Sequence, residues 1–279
     1  MAIMRSRLRA HALEWHVAPA AHIDSRHRSG FLELQRRCNQ ELGRHHALTH
    51  NVWLDALEAA NATPQALHLL DALQQLSHVL AALAQARETH AASLKGNRAD
   101  DSADCGTAVV ICFDENGVPW CPPLPGMGIG DPGVMSDRQQ AWAKAWRHVV
   151  GRDTVAPAAP ATRAVCELVA RDYNAASASV SLGTMMALES AISTDFWQRL
   201  GRGLRSCADT LGLKFPDAGF FPVAETHARL QARHVLYLVE GASVHDVLDE
   251  DLFFSTGLAA LALLDAFWEA QAAPFQRSH

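Results

Sequence analysis

Apolar residues recur three and four positions apart through most of this 279-residue chain. That spacing places them on one face of an α-helix, because the helix has 3.6 residues per turn. Alanine, leucine, glutamine and arginine are abundant, whereas valine and isoleucine are sparse, and this composition favours helices over strands. The sequence therefore predicts an all-α protein.

Interruptions of the apolar pattern divide the first half of the chain into predicted helices. One helix is predicted from Ser29 to Ala60, and a second runs to about Ala92, with Thr63 as its N-cap and Pro64 at its first position. The leucines of the second helix form an apolar face. Three polar residues on its other side, which we interpret as a solvated face, are Gln74, Gln75 and His78.

The second half predicts four further helices, at about 162–174, 178–211, 219–241 and 243–271, and a helix also resumes near Ser136. A Pro/Ala stretch at 155–162 could mark a domain boundary. Each half alone has only three or four helices, so one shared bundle is favoured. We predict a single domain over residues 28–275, preceded by a flexible segment at 1–27.

Residues 95–135 differ in composition from the rest of the chain. The β-rich run from Ala108 to Phe113 is followed by an Asn-Gly turn at 116–117, which predicts a β-hairpin. The Pro/Gly-rich segment from Cys121 to Gly133 cannot be helical. This part of the chain is therefore predicted to be a loop and hairpin insertion, or a lid, on the helical bundle.

Charge and hydropathy narrow the range of partners. The formal net charge of −6 gives no attraction for nucleic acid or an anionic membrane surface. The first residues lack the apolar run of a signal peptide, so we expect a cytoplasmic protein. The six cysteines form no CxxC pair, and we expect them to be reduced. The most apolar stretch, Gly257 to Trp268, is too short to span a bilayer and is interpreted as a buried helix.

One carboxylate interrupts an otherwise apolar helix face. The residues that share this face are Leu182, Met185, Met186, Glu189, Ile192, Phe196 and Leu200. A buried carboxylate without a partner costs several kcal/mol or takes up a proton, so Glu189 needs a cation, a metal ion or strong hydrogen bonds. The alternative to a metal ligand is a neutral or arginine-paired structural residue.

A stripe of nitrogen- and oxygen-bearing side chains lies on a later helix. His227, Gln231 and His234 are spaced i, i+4 and i+7, so they fall within about 60° of one another. They can face a common site, although a surface polar stripe is the alternative. Together with Glu189 they predict a carboxylate/imidazole metal centre between helices. No nucleophile motif or phosphate-binding glycine motif is present, so acyl and phosphoryl transfer are not supported.

Three passages resemble a known superfamily. They are the helix–turn–helix at 50–67, the segment Leu182-Gly-Thr-Met-Met-Ala-Leu-Glu189, and the segment from Gly219 to His234, which is followed by an apolar helix from Phe253 to Gln271. These passages are similar to the heme-oxygenase-like helical superfamily, which includes thiaminase II, the pyrroloquinoline quinone synthase C protein and heme-oxygenase-like diiron oxidases. The third passage resembles the His-x3-Asp-x2-His helix of the diiron members.

The resemblance implies a heme-oxygenase-like bundle that binds iron through Glu189, His227 and His234, with Gln231 as a fourth ligand or a neighbour of the ligands. Such a protein activates O₂ to oxidise a small amine, amino acid or acyl substrate, as in natural-product biosynthesis, and relatives often form homodimers. Gln231 stands where the family has aspartate and is a weaker ligand for iron. The glutamate and histidine ligands that the family has in its first half have no clear counterpart in this chain. Glu115 could replace that glutamate only on a helix, and the predicted hairpin there argues against it.

Two other functions remain open at this point. The same fold can work without a metal ion, as in thiaminase II, with His227 and His234 moving protons around an organic substrate. A non-catalytic binding protein derived from such an enzyme is the third alternative. Activity that survives a chelator would favour the second function, and a cavity filled by large side chains would favour the third.

Overall fold

The computed structural model describes residues 25–59, 66–96, 144–148, 155–215, 220–244 and 246–276. Within these ranges every regular element is a helix and no residue is in a strand, so the all-α prediction is confirmed for them. The predicted β-hairpin at 108–117 and residues 1–24 of the predicted flexible segment lie outside the described residues. Ser25 already begins a helix, and residues 95 and 96 end one rather than opening the insertion.

The described residues form nine helices that we number in chain order, and residues 144–148 add a short helical stretch. The nine are α1 (Ser25–Glu41), α2 (His46–Thr49), α3 (Val52–Glu58), α4 (Ala66–Gly96), α5 (Pro160–Asp172), α6 (Ala178–Ala191), α7 (Thr194–Thr210), α8 (Phe220–Val244) and α9 (Glu250–Gln276).

Two long predicted helices are wrong, because short breaks divide them. The helix predicted over 29–60 is replaced by α1, α2 and α3. The Asn51 side chain accepts a hydrogen bond from the Leu54 amide at 3.1 Å and begins α3, and His45 Nδ1 accepts one from the Ala47 amide at 3.2 Å and begins α2. Such side chain to backbone bonds compete with a continuous helix.

The helix predicted over 178–211 is likewise two helices, α6 and α7. Ile192 leaves the helical conformation, and Ser193 is extended, with φ −62° and ψ 176°, as the N-cap of α7. The end of α7 matches the prediction within one residue. Gly212 has φ +65°, and the Leu213 amide donates to the Ala208 carbonyl at 2.8 Å, which is a usual helix C-terminus.

Helix α9 lies at the centre of the bundle. It packs most extensively on α6 and also contacts α2, α3, α4 and α5, so it joins the two halves of the chain. Trp268 of α9 stacks on Trp53 of α3 with ring centroids 5.9 Å apart. By length and composition alone, Glu250–Phe275 could cross a membrane, but one side of it forms the core of this bundle.

The Pro/Ala stretch before α5 is fixed to α4 by side chains that we interpreted as a solvated face. Gln75 Oε1 accepts from the Ala159 amide and from Thr162 Oγ1, both at 2.7 Å. Gln74 accepts from the Ala156 amide at 2.7 Å, and Gln74 and Gln75 are buried. That interpretation is therefore wrong for both glutamines, because the segment at 155–159 covers this face.

We expect the Gly183→Ala substitution to destabilise the fold. A Cβ at Gly183 would lie 2.3 Å from the Phe253 carbonyl oxygen, so α6 and α9 would have to separate. Overpacking of this kind lowers the free energy of unfolding by about 3 kcal/mol. Urea unfolding of Gly30→Ala is the control, since a Cβ there meets nothing within 4 Å. Equal stability of the two variants would contradict this packing.

Candidate functional site

The carboxylate of Glu189 lies in the core and is bound by two other side chains. Glu189 is 2% exposed on α6, in a segment where every residue from 182 to 190 is buried. Its two oxygens accept hydrogen bonds from Arg87 of α4, Oε1 from Nε at 2.9 Å and Oε2 from Nη2 at 2.5 Å. The Tyr173 hydroxyl, just after α5, also donates to Oε1 at 2.7 Å. We call these three residues the buried triad.

The electrostatics of the buried triad favour a charged pair. Burial alone would lower the pKa of Arg87, but the charge and hydrogen bonds of Glu189 hold it above its ordinary value. Burial, and then the Glu189 charge, raise the pKa of Tyr173 well above its ordinary value, so its hydroxyl stays protonated and donates. A bidentate arginine–carboxylate pair with a third donor therefore satisfies Glu189 inside the bundle.

His227 lies close to the buried triad on helix α8. It is 3% exposed, so the alternative of a surface stripe is wrong for this residue. Burial, and then the charge of Arg87, lower the pKa of His227 to about 3, so its imidazole is neutral near pH 7. Gln231, one turn later, places its amide nitrogen 3.4 Å from His227 Nε2. The predicted i, i+4 pair is thus side by side.

A small cavity separates α4 from α8, and water-sized molecules can occupy about 10 Å³ of it. That is room for about one water molecule. Arg87 and His227 are its polar lining groups. The remaining lining residues are apolar: Leu80, Ala84, Ile192, Trp197, Phe220, Ala224 and Ala228.

His234 faces a histidine that the sequence analysis did not single out. Its ring lies 5.6 Å from that of His90 on α4, centroid to centroid, in an edge-to-face contact. Burial, and then His90, lower the pKa of His234 to about 4. Burial also lowers the pKa of His90, although a hydrogen bond with Asn174 opposes that change. His234 of α8 and His90 of α4 therefore meet between these two helices.

The four predicted ligands do not form one shared metal site in this arrangement. Arg87 and Tyr173 engage the oxygens of Glu189 that a metal ion would need, which is the arginine-paired alternative of the sequence analysis. His227 and His234 are seven residues apart, about 10.5 Å along the helix axis. Among the described residues, no group of three or more histidine, cysteine, aspartate and glutamate side chains is placed to hold a metal ion.

Arg87 and Tyr173 are the partners that the sequence analysis missed. Arg87 continues the apolar stripe of α4 that includes Leu80 and Leu83, at the same three- and four-residue spacing. Arg87 is a cation on the apolar stripe of α4, just as Glu189 is an anion on the apolar face of α6. The sequence pattern therefore indicates that Arg87 is buried. Tyr173 follows the end of α5, and no spacing connects it with Glu189.

Comparisons with known proteins leave the family undetermined. No family model, no curated protein and no solved structure matches the chain. The resemblance to the heme-oxygenase-like superfamily therefore remains a prediction. Among the residues that the structure describes, what is established is an all-α protein with a buried polar centre between α4, α6 and α8.

Proposed function

We propose that this protein is a non-catalytic binding protein, and that its buried centre joins helices instead of holding iron. The observation that carries the proposal is the saturation of Glu189. Arg87 engages both carboxylate oxygens, and Tyr173 adds a third hydrogen bond. Through these bonds the buried triad ties α4 and the end of α5 to α6.

The size of the cavity also supports a non-catalytic centre. Pockets for small molecules typically have volumes of about 300–1,000 Å³. The cavity beside Arg87 and His227 accepts about one water molecule, because Trp197 and Phe220 fill the space around it. An amine, amino acid or acyl substrate does not fit there without displacement of these aromatic side chains.

An iron-dependent oxidase would need a different arrangement of the same residues. Arg87 would have to leave Glu189 and be replaced by a cation of at least equal charge. Neutral imidazoles do bind metals, and His227 and His234 are neutral near pH 7. The arginine is therefore the feature that decides between the two functions.

Iron content and oxygen uptake of the full chain test this proposal. We expect protein purified after iron supplementation to contain no stoichiometric iron, and we expect O₂ consumption with a chemical reductant to be no faster than that of the reductant alone. The variants Glu189→Gln and His227→Asn should match the wild type, as should the exposed control His148→Asn. About one iron per chain that is lost in the first two variants and kept in the control would overturn the proposal.

A metal-independent acid–base enzyme is the second candidate. The observation that favours it is the neutral imidazole of His227, which faces the cavity together with the Arg87 guanidinium. In the same preparations, histidine side-chain resonances can be followed during addition of acetate or methylamine. A shift of the His227 resonance on addition of acetate or methylamine, with no shift on addition of iron, would favour this enzyme. An unchanged His227 resonance would favour the binding protein.

A further inference from the structure

A second group of histidines lies on the surface, where α2 meets α9. His46 Nδ1 lies 3.0 Å and 3.2 Å from the two carboxylate oxygens of Asp265. The imidazole of His50, four residues later, has its centroid 5.4 Å from that of His46 and is tilted by 43°. Both histidines are exposed, and neither belongs to the buried centre.

The contact with Asp265 determines which nitrogen of His46 is available. When the ring is neutral, Nδ1–H donates to the carboxylate, and the lone pair is then on Nε2, on the other side of the ring. A carboxylate that orients a histidine in this way is the usual partner of metal-binding imidazoles. Asp265 thus prepares His46 as a ligand.

The separation of the two rings suits one shared ion. Imidazole nitrogens bind Zn²⁺ at about 2.0–2.1 Å in tetrahedral geometry, which places two ring centroids about 5 Å apart. The observed 5.4 Å between His46 and His50 therefore requires only a small adjustment. His45 is not counted as a ligand, because its Nδ1 accepts a hydrogen bond from the Ala47 amide.

We propose that His46 and His50 form a surface site for a divalent first-row transition metal such as Zn²⁺, with Asp265 as the residue that positions His46. Water molecules complete the coordination, since these two imidazoles are the protein ligands. Imidazole suits zinc, copper and nickel, and the negative net charge of the chain attracts cations. The site lies on α2, the loop after it and α9, so it is independent of the proposed function.

Calorimetric titration of the full chain with Zn²⁺ tests the site. We expect His46→Asn and His50→Asn each to remove one binding event, or to weaken it at least about tenfold. Asp265→Asn is expected to keep the stoichiometry and weaken binding by about 10- to 100-fold, as for other residues that orient metal ligands. Circular dichroism should show unchanged helix content in all three variants.

The control is His148→Asn, an exposed histidine on the short helix at 144–148. Its titration should match the wild type. If the double variant His46→Asn/His50→Asn binds the same number of Zn²⁺ ions with the same affinity, other histidines account for the binding and the site is refuted. An unchanged affinity of Asp265→Asn would refute the positioning role.

Discussion

Replacing Arg87 with methionine should lower the free energy of unfolding by about 3–5 kcal/mol. The substitution leaves the Glu189 carboxylate buried with Tyr173 as its remaining bonded partner, and an uncompensated buried charge is strongly destabilising. Urea unfolding at pH 7 measures the effect. The side chain of Arg87 is 9% exposed, so solvent screening reduces this effect little.

The double variant Arg87→Met/Glu189→Leu separates a lost charge partner from lost packing. Because both members of the pair become apolar, part of the stability should return, as it does when buried ion pairs are replaced by hydrophobic residues. The recovery is incomplete by about 1–3 kcal/mol, because the buried Tyr173 hydroxyl loses its acceptor. Arg36→Met, which removes an exposed ion pair with Glu33 on α1, is the control and should change stability little. If the double variant is as unstable as Arg87→Met, the pairing of charges does not explain the effect.

The buried carboxylate was predictable from sequence, whereas the apolar stripe of α4 indicates a buried Arg87 but not its pairing with Glu189. Glu189 interrupts an apolar face, and a single carboxylate on such a face must be satisfied in some way. Arg87 lies 102 residues earlier in the chain, and periodicity within one helix says nothing about which other helix packs against it. The metal ion and an arginine therefore stay open alternatives in the sequence, and the contact between Arg87 of α4 and Glu189 of α6 favours the arginine.

The positions of the long helices were also predictable from sequence, whereas the breaks between helices were not. Apolar spacing locates the ends of α4, α5 and α8 within four residues, because their buried faces persist over several turns, whereas α9 begins seven residues after its predicted start. It does not detect the breaks at Asn51 and Ser193, where only two consecutive residues leave the helical conformation. These breaks depend on single capping geometries, whereas the period is averaged over many residues.

The polar stripe on α8 illustrates how burial changes the chemistry of a motif. Spacing placed His227, Gln231 and His234 on one side of a helix, and the structure puts His227 against the cavity and His234 against His90. Buried imidazoles lose their ordinary affinity for protons because the charged form is poorly solvated. The motif therefore predicts a response to pH as well as a candidate site.

Lowering the pH from 6.5 to 4.5 should reduce the free energy of unfolding by about 2–3 kcal/mol through His227 alone. Its pKa is about 3 in the folded protein against 6.5 for an ordinary histidine, so in this range the unfolded state binds a proton that the folded state does not. Stability is therefore greatest above pH 6.5 and falls as the pH decreases towards 3. His234, with a pKa of about 4, adds a loss of the same sign.

Urea unfolding at several pH values between 7.5 and 4.5 measures this slope for the wild type and for His227→Asn. The variant should lose the His227 part of the slope whatever its stability at pH 7.5, since asparagine does not titrate. The exposed His148→Asn variant is the control for a histidine substitution outside the core. A wild-type stability that is constant from pH 6.5 to 4.5 would show that the imidazole of His227 is accessible to protons in the folded protein, and the sealed centre on which the proposed function depends would then be wrong.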